Sequence, residues 1–303
     1  MPDNLTSPGA WPELNWPDWQ PTADTLHMWT QIVGKTRLAL APLQNHWWNV
    51  PLYVSARGLT TSPVPLDSAR CGLLEIEFDF LSHLLHLRMS SGEALSLPLR
   101  AQSVASFFAE YQQALKSLGV TVNIHPMPVE VPVPIRFDLD ETHASYDCEA
   151  VQRFHRVLMS CDTLFKRFST HFLGKVSPVH FFWGSFDLCV TRFSGRVASG
   201  PPKSDRVQAE AYSHEVISCG FWPGNGGFGS AAFYCYAAPV PAGLGDRPVH
   251  PGAWDAAMGE FILPYEGARH APDPAAAILE FLGSTYSAGA DAAHWDRDVL
   301  DRT

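Results

Sequence analysis

Two stretches decide how the chain is read: NHWWNVPLYVSAR at residues 45–57 and HFFWGSFDLCVTR at residues 180–192. Each carries a histidine and a tryptophan within its first four residues and runs through aromatic and β-branched residues to an arginine. Arg57 and Arg192 both lie nine positions after a tryptophan, Trp48 and Trp183. Upstream of each word stands a helical pattern with a Gly-Lys pair, Gly34-Lys35 and Gly174-Lys175, and a difference of five residues in spacing separates the two cases. In this register Asn45 falls opposite His180. Agreement in helix, glycine, strand, tryptophan and arginine points to a duplicated unit.

Working outward, Leu26, Trp29, Ile32 and Val33 recur at helical spacing from Asp24 to Gly34, where glycine suits a helix C-terminus. Residues 38–41, 47–56, 74–80, 84–89 and 94–99 then read as an antiparallel meander punctuated by turns such as Ser91-Gly92. Val104, Phe107, Phe108, Tyr111 and Leu115 mark a second helix, and residues 120–124 a further strand. The second half repeats the order. A helix over 148–172 with Asp147 as N-cap leads to strands at 176–182, 186–193, 211–218, 232–236 and 260–264, and a last helix starts at Pro274, whose missing N–H is harmless in a first turn. The expected fold is therefore α+β, two pseudo-repeats, each an antiparallel β-meander flanked by helices. Residues 1–21 form an extended Trp/Pro-rich arm whose indoles dock on the body, 22–125 the first repeat, 126–146 a Pro-rich and acidic linker, 147–290 the second repeat and 291–303 a tail.

With 303 residues, 46% of them hydrophobic and 17% charged, the chain can bury a large core and lacks the composition of disorder. Six scattered cysteines without a C-x-x-C pair, and an amino terminus with neither basic start nor apolar stretch, predict free buried thiols and a cytoplasmic location. A net charge of −10 without a Lys/Arg cluster argues against nucleic acid and anionic membrane, and no run of apolar residues is long enough to span a bilayer. Ten tryptophans are the compositional anomaly. Indoles fill cores, but they also line ligand pockets and homo-oligomer contacts.

At four runs the chain resembles a bacterial family of unknown function: TLHMWTQIVGK (25–35), NHWWNVPLYV (45–54), SPVHFFWGSFDL (177–188) and AYSHEV (211–216). The resemblance extends over nearly the whole length. It implies a bacterial origin and one full-length architecture, and it brings no activity, cofactor or catalytic residue.

Candidate chemistry therefore rests on the side chains. His46 and His180 lie in Trp-rich segments where solubility does not require them, at roughly corresponding places in the two halves. Either a shared pocket uses them for proton exchange or each is a core imidazole bonded to main chain. His214 and Glu215 are adjacent on a predicted strand, so they should face opposite ways, and one of them could join the site. His46, His180, His214 and Glu215 are weak metal candidates, because no H-x-H or H-E-x-x-H spacing is present. No G-x-S-x-G elbow supports a nucleophilic triad. Arg57 and Arg192 would meet an anionic group, unless they pair with acids such as Asp79 or Asp187. Trp48, Trp183 and Trp222 would hold an aromatic ligand, and the Gly-rich segment 221–228 is either a lid or a plain turn. Glu75, Glu77 and Asp79 alternate with apolar residues as on a solvated sheet face. The resulting expectation is an enzyme of unassigned reaction and cofactor acting on a small aromatic or anionic molecule between the repeats, with His46, His180 or His214 as acid/base. Its rivals are a non-catalytic small-ligand binder or sensor and a homodimeric scaffold.

Overall fold

A computed structural model describes residues 5, 8–66, 72–199, 205–225 and 228–302. Cys71 lies outside them. Helix α1 (Trp16–Leu40) begins earlier than the periodicity predicts. Pro17 falls in its first turn, where no N–H is needed, and Pro21 is carried inside. Burial outweighs the proline signal: Trp16 packs edge-on against Trp19 at 5.8 Å, and Trp19 lies 5.0 Å from Phe154. The expected extended arm is thus helical from Trp16 onward, and only the segment around Trp11, buried against Phe233 and Tyr265, precedes the helix.

The helix also fails to stop at Gly34. It continues through residues 38–40, expected as strand, to Leu40. Gly34 serves close packing: a Cβ there would lie 2.3 Å from Cδ1 and Nε1 of Trp183. That indole donates to the Val50 carbonyl at 2.9 Å, so it is held from both sides.

The first sheet has strand order β1-β2-β4-β5-β6, formed by β1 (Tyr53–Val54), β2 (Gly58–Thr60), β4 (Leu73–Asp79), β5 (Leu84–Met89) and β6 (Ala94–Pro98), with β3 (Val64–Pro65) added on β4. Leu74, Ile76 and Phe78 point into the core, as the alternation requires. The acids between them are less solvated than expected. Glu77 takes Arg88 at 2.7 Å, and Asp79, only 2% exposed, takes Arg57 at 2.5 Å together with the N–H groups of Leu81 and Ser82. Helix α2 (Val104–Ser117) follows, capped by Ser103, and residues 120–124, expected as a strand, are irregular. The Pro-rich segment, expected to be extended, instead bends repeatedly, with Glu130 at φ 57°, and is tied to α1 by a reciprocal pair, Gln31 Nε2 to Val129 O and Val129 N to Gln31 Oε1, each 2.8 Å.

Helix α3 (Cys148–Ser169) starts on Asp147, whose carboxylate accepts from the N–H groups of Glu149 and Ala150. The second sheet, also six-stranded and antiparallel, has the order β11-β12-β10-β9-β8-β7. Its strands are β7 (His180–Phe182), β8 (Asp187–Val197), β9 (His214–Trp222), β10 (Ala232–Ala238), β11 (Ala253–Asp255) and β12 (Glu260–Pro264). Helix α4 (Arg206–Ala211) sits between β8 and β9. Three helices follow β12: α5 (Tyr265–Arg269), α6 (Pro274–Ala292), longer than predicted, and α7 (Arg297–Leu300). The inner face of this sheet, with Leu188, Val190, Ile217, Phe221 and Phe233, joins the main core beneath α3 and α6.

Among the described residues one backbone bridge joins the two sheets. Leu52 and Phe181 exchange both N–H···O bonds at 2.9 Å and bring β1 beside β7. Each half thus runs helix, antiparallel sheet, helix, and the protein is α+β. The hairpins correct the residue register expected from the two words. Val54 pairs with Leu59 and Phe182 with Asp187, four residues intervening in each case. Superposing these turns sets Trp183 opposite Ser55 and Arg57 opposite Ser185, so neither tryptophan nor arginine has its expected counterpart.

Candidate functional site

Alternation along the second sheet puts polar and aromatic side chains on its outer face, away from α3 and α6. The register aligns His180 with Cys189 and Gly220, Phe182 with Asp187, Thr191 with Ser218, and Gly220 with Tyr234. This face has its own small apolar cluster, Cys189, Ala232, Tyr234 and Ile262, fringed by half-buried Phe182, Trp222, Phe228 and Tyr236. Its unusual chemistry collects at two ends.

At the start of β9, a turn over Asn45–Trp47 inserts His46 against the sheet. His46 and Trp47 have φ of 59° and 61°, in the left-handed region that costs non-glycine residues energy, and the imidazole secures the turn by bonding Nδ1 to the carbonyls of Glu210 (3.1 Å) and Ala211 (3.3 Å). Its ring lies 4.6 Å from Phe193, 5.6 Å from Trp48 and 5.6 Å from His214. Trp48 in turn lies 5.9 Å from His180. Lys175 covers the Trp48 and Phe193 rings at 4.9 and 5.0 Å. Burial, and then the Lys175 charge, hold the His46 pKa below its ordinary value. Burial and the nearby Arg37 depress His180 further, to about 3, and its Nε2 has no hydrogen-bond partner. Both imidazoles are therefore neutral near pH 7, and both are nearly sealed, at 6% and 1% exposure.

The other end holds the groups that the sequence reading missed. Asp187 accepts hydrogen bonds from the Ser185 and Tyr234 hydroxyls, and among the described residues no cation pairs with it. Burial pushes its carboxyl up to about 6. Tyr234 crosses directly over Gly220, where a Cβ would come within 2.3 Å of its phenol, and it packs on Trp222 at 4.6 Å. Next to it, Tyr236 and Tyr212 share a hydroxyl contact of 2.9 Å. Glu260 is driven to about 7 by burial and then by Asp187 and Asp255, and its Oε2 is buried without a partner. Glu130 from the Pro-rich segment reaches Gly184 beside this group, and its carboxyl is raised by burial and then by Asp187 and Asp205. The period-two pattern Asp187-x-Cys189-x-Thr191, with Ser218-x-Gly220-x-Trp222 and Tyr234-x-Tyr236, was the available signal.

Of the residues singled out in the sequence, His46, Trp48, His180 and His214 meet in one aromatic cluster. Trp222 belongs to the carboxyl end of the same face. Trp183 is turned away into the α1 contact. Arg57 is committed to Asp79 on the first sheet. Arg192 points to the inner face, 2% exposed, with its guanidinium 3.5 Å from the Phe168 ring and bonded to the Phe168 carbonyl at 2.5 Å. Neither arginine is placed to receive a ligand beside the histidines. Glu215 also faces inward, bound by Arg196 (2.6 Å) and Trp295 Nε1 (3.1 Å), while His214 faces His46. Among the described residues no group of three or more His, Cys, Asp or Glu side chains converges as a metal-ligand set. A cleft of about 230 Å³ lies by Tyr53, Asp162, Lys166, Ser169 and Ser177, and it touches none of the outer-face carboxyls.

Fold and site together define an α+β protein with two six-stranded antiparallel sheets, one of which carries a buried carboxyl–phenol group on the face opposite its helices. The chain belongs to the family of unknown function DUF5996, which it matches over residues 11–302. No curated protein and no solved structure matches it significantly. Among the described residues no helix is long and apolar enough to cross a membrane.

Proposed function

We propose that this protein is an enzyme of the acid/base type, acting on a small neutral or cationic molecule at the Asp187 end of the second sheet. What carries the reading is the pair Asp187 and Glu260, two carboxyls buried on one face whose pKa values burial raises, neither of them ion-paired to a cation among the described residues. Such burial is costly to a fold, and sites that exchange protons near neutral pH are where it recurs. In this scheme Asp187, linked to the Tyr234 hydroxyl, gives up or takes a proton near its raised pKa. Trp222 offers an aromatic wall, and Glu260 Oε2 is free to bind a donor of the ligand. With Arg57 and Arg192 engaged elsewhere, the anionic substrate expected from the sequence loses its cationic contacts.

The non-catalytic binder keeps one specific support, because both Asp187 oxygens already have hydroxyl donors. A thermal-shift screen of small aromatic amines and polar neutral compounds, run on the wild type, Asp187→Asn and Trp222→Phe, tests the site. Compounds that stabilise the wild type should lose their effect in both variants. Hits that stabilise all three proteins equally would refute the location. Turnover of a hit by the wild type and not by Asp187→Asn separates enzyme from binder.

A further inference from the structure

The inner face of the same sheet carries a second unusual pair, independent of the carboxyl site. Cys219 on β9 and Cys235 on β10 are direct cross-strand partners in central strands, 0% and 1% exposed. Their sulfurs lie 3.0 Å apart. Non-bonded heavy atoms even of carbon size settle at about 3.5–4.0 Å, and a disulfide needs about 2.05 Å, so this pair stands between the two. Opposed strand residues keep their Cβ atoms about 4.5–5.5 Å apart, against about 3.5–4.5 Å in a disulfide, so closure needs only a small approach. Burial, and then the neighbouring Cys235, raise the Cys219 thiol well above its ordinary pKa, and the buried Arg192 guanidinium, whose Nε has no partner, opposes that rise. Cys148, Cys161 and Cys189 have no such partner sulfur among the described residues.

We propose that Cys219 and Cys235 form a reversible thiol–disulfide pair, a modification site that closes across β9 and β10 on exposure to a hydroperoxide. One thiolate attacks the terminal oxygen of the hydroperoxide, the O–O bond breaks, and a sulfenic acid forms while the leaving oxygen takes a proton and departs as water from hydrogen peroxide or as the alcohol from an organic hydroperoxide. The second thiol attacks that sulfur, the S–O bond breaks, and the hydroxyl leaves as water with the thiol proton. The two cysteines together lose two electrons and two protons, and the peroxide is reduced. Because Gly220 flanks Cys219, and Tyr234 and Tyr236 flank Cys235, the bond pins the strands that bear the outer-face phenols.

The test uses the full-length reduced protein, folded, treated with hydrogen peroxide, quenched with iodoacetamide under denaturing conditions, digested with trypsin and weighed. Cleavage after Arg206 and Arg269 leaves Cys219 and Cys235 as the two cysteines of one fragment, 207–269, since Arg247 precedes Pro248. The expected fragment lacks the mass of two hydrogens, carries no alkyl group, and returns to the doubly alkylated form after dithiothreitol. Exposed Cys148 is the internal control for peroxide dose. Double alkylation of 207–269 at a dose that fully oxidises Cys148 would overturn the proposal. The oxidised wild type should also melt higher than the reduced protein, and Cys235→Ala should show no such difference. An equal peroxide-induced shift in Cys235→Ala would count against the pair.

Discussion

Replacing Asp187 by asparagine removes a carboxyl that the fold keeps protonated well above its ordinary range. The ordinary value is 3.8 and the folded value about 6. Below pH 3.8 both folded and unfolded chains hold the proton, and the group contributes no pH dependence. Between about pH 4 and 6 the unfolded chain releases its proton while the folded chain retains it, so stability falls as pH rises, and above about 6 the loss is complete. At about 1.4 kcal/mol per pH unit, the wild type loses about 3 kcal/mol over this window from Asp187 alone. Asparagine cannot ionise. It can accept from one of the Ser185 and Tyr234 hydroxyls and donate to the other, so it suffers a constant penalty without the slope. Urea titrations of both proteins at half-unit steps from pH 4 to 8 measure this directly. The stability of the variant relative to the wild type should climb by about 3 kcal/mol up to pH 6 and then level off. Glu260, raised in the same direction, adds a slope to both proteins that largely cancels in the difference. A difference that stays flat across the range would show that Asp187 is ionised in the fold, and the argument for a proton-exchanging site would fail with it.

Gly34→Ala should destabilise by about 2 kcal/mol or more, since the gain of about 1 kcal/mol from helix propensity is outweighed by overpacking against a fixed indole. In a Trp183→Ala background the same substitution should become stabilising, a reversal that chemical denaturation can detect. His180 should remain neutral at pH 5 by imidazole ¹⁵N shifts, because its folded pKa lies near 3. Its contribution to stability is therefore intact above about pH 6.5 and is lost as pH falls from there toward 3, and a midpoint near 6.5 in the folded protein would contradict its burial. Asp147→Ala should cost about 1 kcal/mol through the exposed α3 N-terminus, measurable as a lower urea midpoint with unchanged slope.

Periodicity sufficed for the fold where one face of an element is buried and the other is wet. Strand β4 with Leu74, Ile76 and Phe78, helix α3 behind Asp147, and helix α6 behind Pro274 were all legible on that basis. It failed where tertiary packing reverses a local rule. Gly34 resembles a helix stop because a sequence does not reveal that an indole from residue 183 will rest on it. Pro17 and Pro21 resemble an extended arm because the burial of Trp16 and Trp19 is not local information. The histidine cluster was found through composition, since His46 and His180 stand out among tryptophans. Asp187 was considered only as a partner for arginine, whereas among the described residues it has hydroxyl partners and no cation, which is what makes it unusual. That property belongs to the assembled sheet.

Helix α1 has consequences beyond its own half. Thr22 accepts from the Asp147 N–H at 2.9 Å, Trp19 lies against Phe154, His27 bonds the Gly184 carbonyl at 2.9 Å, and Gly34 receives Trp183, so a segment at one end of the chain templates the other end. Severing the polypeptide in the Pro-rich connector should therefore not release two autonomous modules. The carboxyl-terminal piece would be left with an uncovered aromatic groove, and it should regain structure only when the amino-terminal piece is added back, as in fragment complementation. Whatever ancestry the two sheets share, the present protein behaves as one interlocked body.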